Sequence, residues 1–442
     1  MDHLELIGDL VARARKAGAD AADAMLVAGA SLSVARRAGQ TEQLERAEGQ
    51  DLGLRVFVGQ QSAIVSATSI DPRGFDQLAE RAVAMAKVVP ADPFGGLAEL
   101  MAPPELGDLE LDDGQEPSAE ELLARAETAE TVARGTPGIT NTEGGEAGFS
   151  RTEIVLVTSA GFAGRTYRSS HSVSAVALAG EGVSMQRDYD YSSKAHLADL
   201  EDAEAIGRSA AERALARLNP TRPKTAKLPV VFDPRVSSSL LSSFVGMING
   251  ASVARGTSLL KERMGQKVFA DNVTIIDDPR RVRGGRSKLF DGEGVPTRTQ
   301  TLVQNGVLQT WLLDSRSARQ LKLTSTGHAA RGTGGPPSPS STNLYMQAGT
   351  LTPAELMADI KEGLYITELL GGGMNGVTGD YSRGAAGFMI RNGEIAEPVA
   401  EITIAGNGLE IFAHLVPAND LVFRRGTDAP TIRVDGLTMA GA

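Results

Sequence analysis

The start of the chain places its apolar residues on one face of a predicted helix. These residues are Leu4, Ile7, Val11 and Ala14, and their spacing is that of an amphipathic helix. The β-prone runs that follow predict strands at ADAMLVAG, LSVARRAG, LGLRVFVG and SAIVSAT. A second helix is predicted from Pro72, because proline suits a first helical turn and apolar residues follow at helical spacing. This part of the chain therefore predicts helix, sheet and helix.

The same order of patterns returns further along. Helices are predicted over about 118–134 and 198–218. Strand-like runs lie between them at TEIVLVTS, GRTYRSS, VSAVALAG and VSMQRDYDYS. We therefore predict that an N-terminal domain contains two α+β repeats, the first over residues 1–90 and the second over 118–222.

Two segments are predicted to separate these units. Residues 91–117 contain Pro103, Pro104 and the acidic run DLELDDGQE, and they are predicted to form a solvent-exposed linker. Residues 219–224, NPTRPK, are rich in turn-forming and charged residues, as domain linkers are. A C-terminal domain is therefore predicted over 223–442.

The C-terminal domain is predicted to be mainly β. LPVVFD resembles a buried strand, and Asn-Gly pairs at 305–306 and 392–393 stand between β-prone runs, which is a strong hairpin signal. Helices are predicted near 235–249 and 353–370. The predicted fold class is α+β, with a duplicated helix-sheet-helix N-terminal domain followed by a mainly β C-terminal domain.

Composition narrows the range of functions. The chain has a net charge of −11 and no cysteine. The acidic balance argues against a nucleic-acid surface, and the absence of cysteine excludes disulfides, thiol nucleophiles and cysteine-containing zinc sites. The first residues lack the pattern of a signal peptide, and no apolar run is long enough to cross a membrane. A cytoplasmic protein that binds neither nucleic acid nor membrane is expected.

Three local patterns invite a catalytic or cofactor role. Residues 371–376 match G-x-G-x-x-G, but the segment before them resembles a helix and the segment after them a strand, which is the wrong order for a dinucleotide site. Ser258 and Lys261 match S-x-x-K without the companion motifs of serine hydrolases. The five histidines show no i, i+4 or i, i+5 pairing for a metal. A glycine-rich turn and a solvated helix start are the preferred interpretations.

Several longer motifs carry a family resemblance. They are DPFGGL from Asp92, STGHA from Ser325, TNLY from Thr342, GDYSRGAAGF from Gly379 and EITIAGN from Glu401. Together they closely resemble the PmbA branch, also called TldE, of the TldD/PmbA family. The resemblance covers essentially the whole chain. It implies a two-domain α+β fold, a cytoplasmic location, and a pairing with a TldD-type subunit to form a peptidase that acts on flexible peptides.

The chain departs from the family at the metal-binding helix. In TldD-type subunits this helix carries H-E-x-x-x-H, whose histidines bind zinc and whose glutamate can act as general base. Here Ser242 stands at the first histidine position, Ser243 at the glutamate position and Met247 at the second histidine position. The family's third ligand, a cysteine near the C-terminus, has no counterpart. We therefore expect no catalytic residue and no metal on this chain, with zinc on the partner subunit.

The resemblance leads to a non-catalytic, substrate-enclosing subunit as the first hypothesis. Such a subunit could close one wall of a chamber and orient a peptide by edge-strand pairing. Asp380, Tyr381, Arg383 and Gly384 are the predicted substrate or partner surface, although Arg383 and Asp380 could instead stabilise each other within a turn.

Two other hypotheses stay open. One is a stand-alone regulatory or binding protein, as the family's older label of gyrase modulator suggests. The other is an independent hydrolase that uses Ser258 or a dispersed acidic site. A homo-oligomer of the isolated chain is also an open alternative.

Overall fold

The structure is a computed structural model that describes residues 2–99 and 107–441. Its N-terminal part repeats one order of elements, helix, three strands and helix. The first set is α1 (His3–Lys16), β1 (Ala21–Arg37), β2 (Gln40–Val58), β3 (Gln61–Ala67) and α2 (Phe75–Ala86). The second set is α3 (Ala119–Gly135), β4 (Ile139–Thr158), β5 (Ala163–Ala179), β6 (Gln186–Lys194) and α4 (Ala203–Ala216). The predicted α+β fold with a duplicated first part is therefore confirmed.

The two repeats share one sheet. Its strand order is β3-β2-β1-β4-β5-β6, so β1 and β4 meet antiparallel at the centre. The helices pack on one face, where apolar residues of β1 and β2 form a core with α1 and α2. A smaller core, rich in alanine, joins α3 and α4 to β5. Small residues allow these helices to approach the sheet closely.

Local capping explains where the repeat helices start. The Ser118 hydroxyl accepts the Glu121 N–H, while the Glu121 carboxylate accepts the Ser118 N–H, which is a capping box. Before α2, the Asp71 side chain accepts the Arg73 N–H at the start of a short 3-10 turn, Pro72–Gly74. Both signals are readable in the sequence, and both predicted helices are present.

The C-terminal part is mainly β. Its elements are β7 (Ala226–Phe232), α5 (Pro234–Ile248), α6 (Gly250–Ala254), β8 (Ile275–Asp277), β9 (Gln300–Gln304), β10 (Val307–Leu308), α7 (Ser315–Leu321), β11 (Ala329–Ala330), β12 (Ser338–Pro339), β13 (Leu344–Met346), α8 (Pro353–Met357), β14 (Glu362–Met374), β15 (Asp380–Arg391), β16 (Glu394–Asn407), α9 (Gly408–His414), β17 (Val416–Pro417), β18 (Thr427–Asp428) and β19 (Ile432–Ala440).

The largest C-terminal sheet closes on itself. Its order is β16-β15-β14-β7-β19-β17, and β16 also pairs with β19. A second sheet of five strands, β10-β9-β8-β13-β18, shares one apolar core with the closed sheet, and α5 contributes to that core. Closure leaves β7, β14, β15, β16 and β19 with partners on both sides. Edge-strand pairing with a peptide is therefore not offered by those five strands along their paired lengths.

The N-terminal sheet packs its second face on the C-terminal part. Buried Asp23 of β1 accepts a hydrogen bond from Arg331 at 2.6 Å. On β2, Gly53 lies so close to Thr333 that a Cβ would stand 2.1 Å from the Thr333 carbonyl oxygen. Only glycine permits this approach. The sheet is thus covered by helices on one face and, around Asp23 and Gly53, by the C-terminal part on the other.

Part of the predicted linker is buried, although the sequence predicts that it is exposed to solvent. Its residues 100–106, with Pro103 and Pro104, lie outside the described residues. Leu109 and Leu111 are buried, and the Leu111 carbonyl accepts the Ser169 N–H of β5 at 2.9 Å. The prediction of a solvent-exposed crossing is wrong here, because two leucines within the acidic run are buried and Leu111 is hydrogen-bonded to strand β5.

Candidate functional site

Helix α5 is the segment that the resemblance to TldD-type subunits matches to their metal-binding helix. It begins at Pro234, and the Asp233 side chain accepts the Arg235 N–H at 2.8 Å. The apolar face of α5, Leu240, Leu241, Phe244, Met247 and Ile248, is buried in the shared core. The opposite face carries serines. The predicted helix near 235–249 is confirmed.

The residues at the degenerate motif positions do not fit a zinc ion. The Ser242 hydroxyl donates to the Ser238 carbonyl at 3.2 Å, and the Ser243 hydroxyl donates to the Ser239 carbonyl at 3.1 Å. The Met247 side chain is 1% exposed and belongs to the core. Hydrolytic zinc takes imidazole, thiolate or carboxylate ligands. Among residues 2–99 and 107–441, no group of three or more histidines or acids could hold a metal.

A groove of about 250 Å³ lies beside the first turns of α5. A network of charges crosses it from the N-terminal sheet to the C-terminal part. Buried Asp188 of β6 accepts hydrogen bonds from Arg235 at 2.7 Å and from Arg217 at 3.4 Å. Arg217 also pairs with Glu368 of β14, and the Arg235 guanidinium lies 4.9 Å from the Tyr189 ring centre.

Electrostatics keep this network charged. Burial opposes ionisation of Asp188, but the hydrogen bond and positive charge of Arg235 outweigh it and lower the pKa of that carboxyl. The same bond raises the pKa of Arg235 against the opposing effect of burial. The wall of the groove beside α5 is therefore an ionised, hydrogen-bonded surface.

The four residues of the predicted surface differ in their exposure and in their contacts. Asp380 is exposed, and its carboxylate accepts the Thr378 hydroxyl at 2.7 Å. Arg383 lines the groove and donates to the Gly371 carbonyl at 3.0 Å. Gly384 is half-buried on β15 opposite Leu370.

Tyr381 does not belong to the surface. Its side chain is 3% exposed, and burial raises the pKa of its hydroxyl above the ordinary range. The hydroxyl has no hydrogen-bond partner among the described residues. Arg383 and Asp380 also form no ion pair in the part of the chain that the structure describes. The alternative in which these two stabilise each other is therefore not realised.

The G-x-G-x-x-G match at 371–376 and the S-x-x-K match at Ser258 and Lys261 form neither a nucleotide site nor a catalytic site. Residues 371–373 end strand β14, and a turn leads into strand β15. The prediction of a helix before the glycines is wrong, but a strand follows them, so no helix N-terminus meets a nucleotide. The buried Ser258 hydroxyl donates to the Met247 carbonyl at 2.5 Å, while Lys261 is exposed. This geometry is not that of an activated serine.

A buried histidine constellation was not predicted from the sequence. His328 lies 3.1 Å from an Asp277 carboxylate oxygen and 2.8 Å from the Thr326 hydroxyl. The arrangement resembles a hydrolase triad, but Thr326 also donates to the Leu313 carbonyl at 3.2 Å and accepts its N–H at 2.7 Å. His328 and Asp277 are fully enclosed. The constellation therefore holds the core together and is not an open catalytic site.

A larger cleft of about 840 Å³ lies between the two parts of the chain. We call it the basic cleft. One side is formed by Arg168 of β5 and Lys194 of β6, and the other by the loops 281–286 and 424–426. The runs RRVRGGR and RRG were a readable signal, because clustered arginines are unusual in a chain of net charge −11. Neither run has a function among the predictions made from the sequence.

Comparisons with known proteins agree with this architecture. Sequence models of the three PmbA/TldA metallopeptidase domains match residues 22–86, 112–218 and 225–441. Metalloprotease PmbA of Escherichia coli O157:H7 is 35% identical over 96% of this chain and 92% of its own. The chain therefore belongs to the PmbA/TldD metallopeptidase family.

Solved structures share the fold. A protein from Bacteroides thetaiotaomicron, described as a candidate modulator of DNA gyrase, superimposes with a TM-score of 0.91 at 26% identity. The alignment covers 99% of this chain and 98% of that one. TldE from Thermococcus kodakarensis superimposes with a TM-score of 0.89 at 21% identity, over 99% of this chain and all of its own. Within the described residues, no helix is long and apolar enough to cross a membrane.

Proposed function

We propose that this chain is the non-catalytic, substrate-enclosing subunit of a heteromeric cytoplasmic metallopeptidase. Its partner would be a TldD-type subunit that carries the zinc, and the substrates would be flexible peptides. One observation carries the proposal. Helix α5 is part of the core, and it carries Ser242, Ser243 and Met247 at the positions where the resemblance to TldD-type subunits places the two zinc ligands and the general base.

The contacts of α5 support a retained scaffold with altered chemistry. Its serines donate hydrogen bonds to carbonyls one turn back and do not project as ligands. The groove beside it is ordered by the Asp188, Arg217 and Arg235 network. A surface fixed in this way suits a wall of a shared chamber, and Arg383 together with exposed Asp380 would be part of it.

A regulatory protein without proteolytic activity is the alternative. It is favoured by the description of the Bacteroides relative as a candidate modulator of DNA gyrase. The two functions differ in where the activity resides. A subunit contributes to peptide cleavage only with its partner, whereas a regulator acts without any peptidase.

Co-expression with a TldD-type homologue from the same cell tests the proposal. We expect the two chains to elute together in size-exclusion chromatography at micromolar concentration. Cleavage of an unstructured peptide should need both chains and should be abolished by a chelator. The isolated chain should hold no stoichiometric zinc after dialysis, because its motif residues are not zinc ligands.

A matched control separates the roles of the two subunits. The partner with glutamine in place of the glutamate of its H-E-x-x-x-H should assemble normally and cleave nothing. If the chains elute separately, or if the partner cleaves equally well alone, the subunit proposal is wrong and the regulatory alternative replaces it. About one tightly held zinc per isolated chain would also contradict the proposal.

A further inference from the structure

The basic cleft concentrates positive charge in an otherwise acidic protein. Seven arginine and lysine side chains line it against two aspartates, while the whole chain has a net charge of −11. The volume of about 840 Å³ lies within the range of about 300–1,000 Å³ that ligand pockets occupy. Charge of one sign lining a cleft attracts and retains ligands of the opposite sign.

Most of this positive charge is not neutralised within the part of the chain that the structure describes. One aspartate, Asp199, pairs with Arg283 at 3.1 Å, and Arg424 pairs with Glu201 at the rim at 2.7 Å. The other aspartate, Asp428, accepts backbone N–H groups and forms no ion pair with an arginine of the described residues. Five cationic side chains have no carboxylate within 4.0 Å among residues 2–99 and 107–441: Arg168, Lys194, Arg281, Arg286 and Arg425.

Buried polar residues hold the arginine-bearing loops in place. The Asp428 carboxylate accepts the backbone N–H groups of residues 424 and 425 at 3.0 Å. The Asn343 side chain accepts the Arg286 N–H at 2.9 Å. Arg168 donates across the cleft to the Gly285 carbonyl at 2.5 Å. The charged groups are therefore positioned before any ligand arrives, which reduces the entropic cost of binding.

Aromatic rings support three of the guanidinium groups. Arg281 lies 3.2 Å from the centre of the Phe423 ring. Arg424 and Arg425 lie 5.9 Å and 5.7 Å from the centre of the Tyr191 ring. Stacking on a ring holds a guanidinium plane and leaves its N–H edge available to a planar acceptor. Burial lowers the pKa of Arg281 and of Arg168, and for Arg281 it outweighs the opposing charges of Asp428 and Asp278.

We propose that the basic cleft binds an acidic stretch of an unfolded polypeptide through its aspartate and glutamate side chains. Guanidinium groups bind carboxylates with two parallel hydrogen bonds, which provides both affinity and orientation. That the polypeptide is a peptidase substrate rests on the proposed function. The binding itself is a property of this chain alone.

The edge of the sheet favours recognition by side chains. Strand β6 is an edge strand, but the Tyr191 carbonyl accepts Arg424 at 2.9 Å and the Tyr189 carbonyl accepts Arg213 at 3.3 Å. These carbonyls already accept side-chain hydrogen bonds, so main-chain pairing with a peptide would have to compete with them. The charged side chains of the cleft are then the groups that remain to bind it.

The rim of the cleft favours a peptide over a nucleic acid. Three partly exposed carboxylates, Glu110, Asp199 and Glu201, stand beside it. A nucleic acid carries a negative charge at every nucleotide, so its backbone would meet these carboxylates where it leaves the cleft. An unfolded polypeptide can place its acids inside the cleft and neutral residues at the rim.

The test uses the isolated full-length chain and fluorescence anisotropy. The probe is a short unstructured peptide rich in glutamate, compared with the same peptide carrying glutamine at each of those positions. We expect the glutamate peptide to bind more tightly, with an affinity that falls as salt is raised. Substituting Lys194→Gln together with Arg286→Gln should weaken this binding by about fivefold to tenfold.

The matched control is Arg208→Gln together with Lys361→Gln. Both residues are exposed and outside the cleft, and the control loses the same charge. The proposal is overturned if the two peptides bind equally, if affinity does not change with salt, or if the control weakens binding as much as the cleft variant. Tighter binding of a single-stranded oligonucleotide than of the glutamate peptide would assign the cleft to nucleic acid instead.

The outcome is independent of the test of the proposed function. If the chain fails to assemble with a TldD-type partner, the peptide titration of the isolated chain still stands. If the glutamate peptide does not bind, cleavage by the assembled pair is still open to measurement. The two failures are therefore distinguishable.

Discussion

At the scale of single residues, Asp291 and Glu293 form a buried acidic pair. The Asp291 carboxylate accepts three backbone N–H groups, and Glu293 accepts the Ser315 N–H at 2.8 Å. Burial raises the pKa of Asp291 from 3.8 to about 7, and the charge of Glu293 adds to this effect. Burial also raises the pKa of Glu293. Both groups bind protons more tightly in the folded chain than in the unfolded chain.

This pair predicts a pH dependence of stability. A pKa raised by folding contributes stability that is present below the unfolded value, near pH 4, and is lost as the pH rises through about 7. Glu293→Gln removes one titrating group and its repulsion of Asp291, while the amide oxygen can still accept the Ser315 N–H. We therefore expect the free energy of unfolding to decline less between about pH 5 and about pH 8 than in the parent chain. Urea unfolding of the variant and of the parent chain at both pH values measures this decline in the free energy of unfolding.

Exposed Glu80 provides the control. Glu80→Gln should leave the pH dependence of the unfolding free energy as it is in the parent chain. Parallel curves for Glu293→Gln and the parent would show that the buried pair does not titrate in this range.

The sequence identified the segment that borders the groove, but not which of its side chains are exposed. The motif at 379–388 predicted Asp380, Tyr381, Arg383 and Gly384 as one surface without distinguishing buried from exposed positions. Side chains alternate along a strand, and β15 follows this rule with Asp380 outward, Tyr381 inward and Ser382 outward. Alternation was readable in the sequence. The direction of each face depends on the strands beside β15, which lie elsewhere in the chain.

At the scale of elements, the predicted helix over 353–370 is the clearest error. Thr352 and Glu355 form a capping box that starts α8, but the helix ends at Met357. Strand β14 then begins, and it pairs with β7 in parallel and with β15 antiparallel. The run GLYITELL contains β-prone residues whose helical spacing was accidental. Pairing with distant strands made this segment a strand, and the local sequence pattern does not contain those pairings.

Both Asn-Gly hairpins were correctly predicted. Asn305-Gly306 joins β9 to β10, and Asn392-Gly393 joins β15 to β16. All four residues have positive φ, between 48° and 86°. A type I′ turn, the usual two-residue hairpin turn for Asn-Gly, requires positive φ at both of its central residues. Here the local signal was sufficient, because the turn determines its own geometry.

Helix α5 carries a prediction about restoring catalysis. Ser242→His, Ser243→Glu and Met247→His would recreate the motif letters, yet we expect the isolated triple variant to cleave no peptide. The third ligand and the groups that orient imidazoles are missing, and the buried Met247 position would place a polar ring in the apolar core.

Peptide cleavage with and without a chelator, together with zinc analysis, measures the result. The control is Ser242→Ala with Ser243→Ala, which should fold and assemble as the parent chain does. Chelator-sensitive cleavage by the triple variant alone would show that the scaffold is still organised for catalysis.

At the scale of the whole molecule, a buried cluster joins the two parts of the chain. Asp23 accepts the Arg55 Nε–H at 3.0 Å from within the N-terminal sheet and Arg331 at 2.6 Å from the C-terminal part. Burial opposes ionisation of Asp23, but the two arginines outweigh it and lower the pKa of that carboxyl. The cluster lies between the parts without access to solvent.

Asp23→Asn should therefore be strongly destabilising. The substitution leaves two buried guanidinium groups short of their negative charge, and breaking such a buried pair costs about 3–5 kcal/mol. Urea unfolding measures the loss. Asp9→Asn, which removes an ion pair with Arg13 on the surface of α1, is the control and should have a much smaller effect. Equal effects of the two substitutions would mean that the cluster does not hold the parts together.

The sequence predicted the repeats but not how they combine. The helices and strands within each repeat could be predicted, because each of them has its own local pattern of apolar and polar residues. The joint sheet and the contact of Asp23 with Arg331, 308 positions apart, depend on pairings that no local window contains. The basic cleft arises in the same way, since its two sides come from strands and loops of different parts.

The central position of β1 and β4 affects how the chain folds as it is synthesised. Ala22 of β1 and Ser159 at the end of β4 are hydrogen-bonded at 2.9 Å although they are 137 positions apart. At translation rates of about 5–20 residues per second, β1 waits roughly 7–27 s for its neighbour. During that interval the long free edge of β1 can pair with other nascent chains. The duplication that yields one continuous sheet thus leaves an edge of the first repeat without its partner strand until the second repeat emerges.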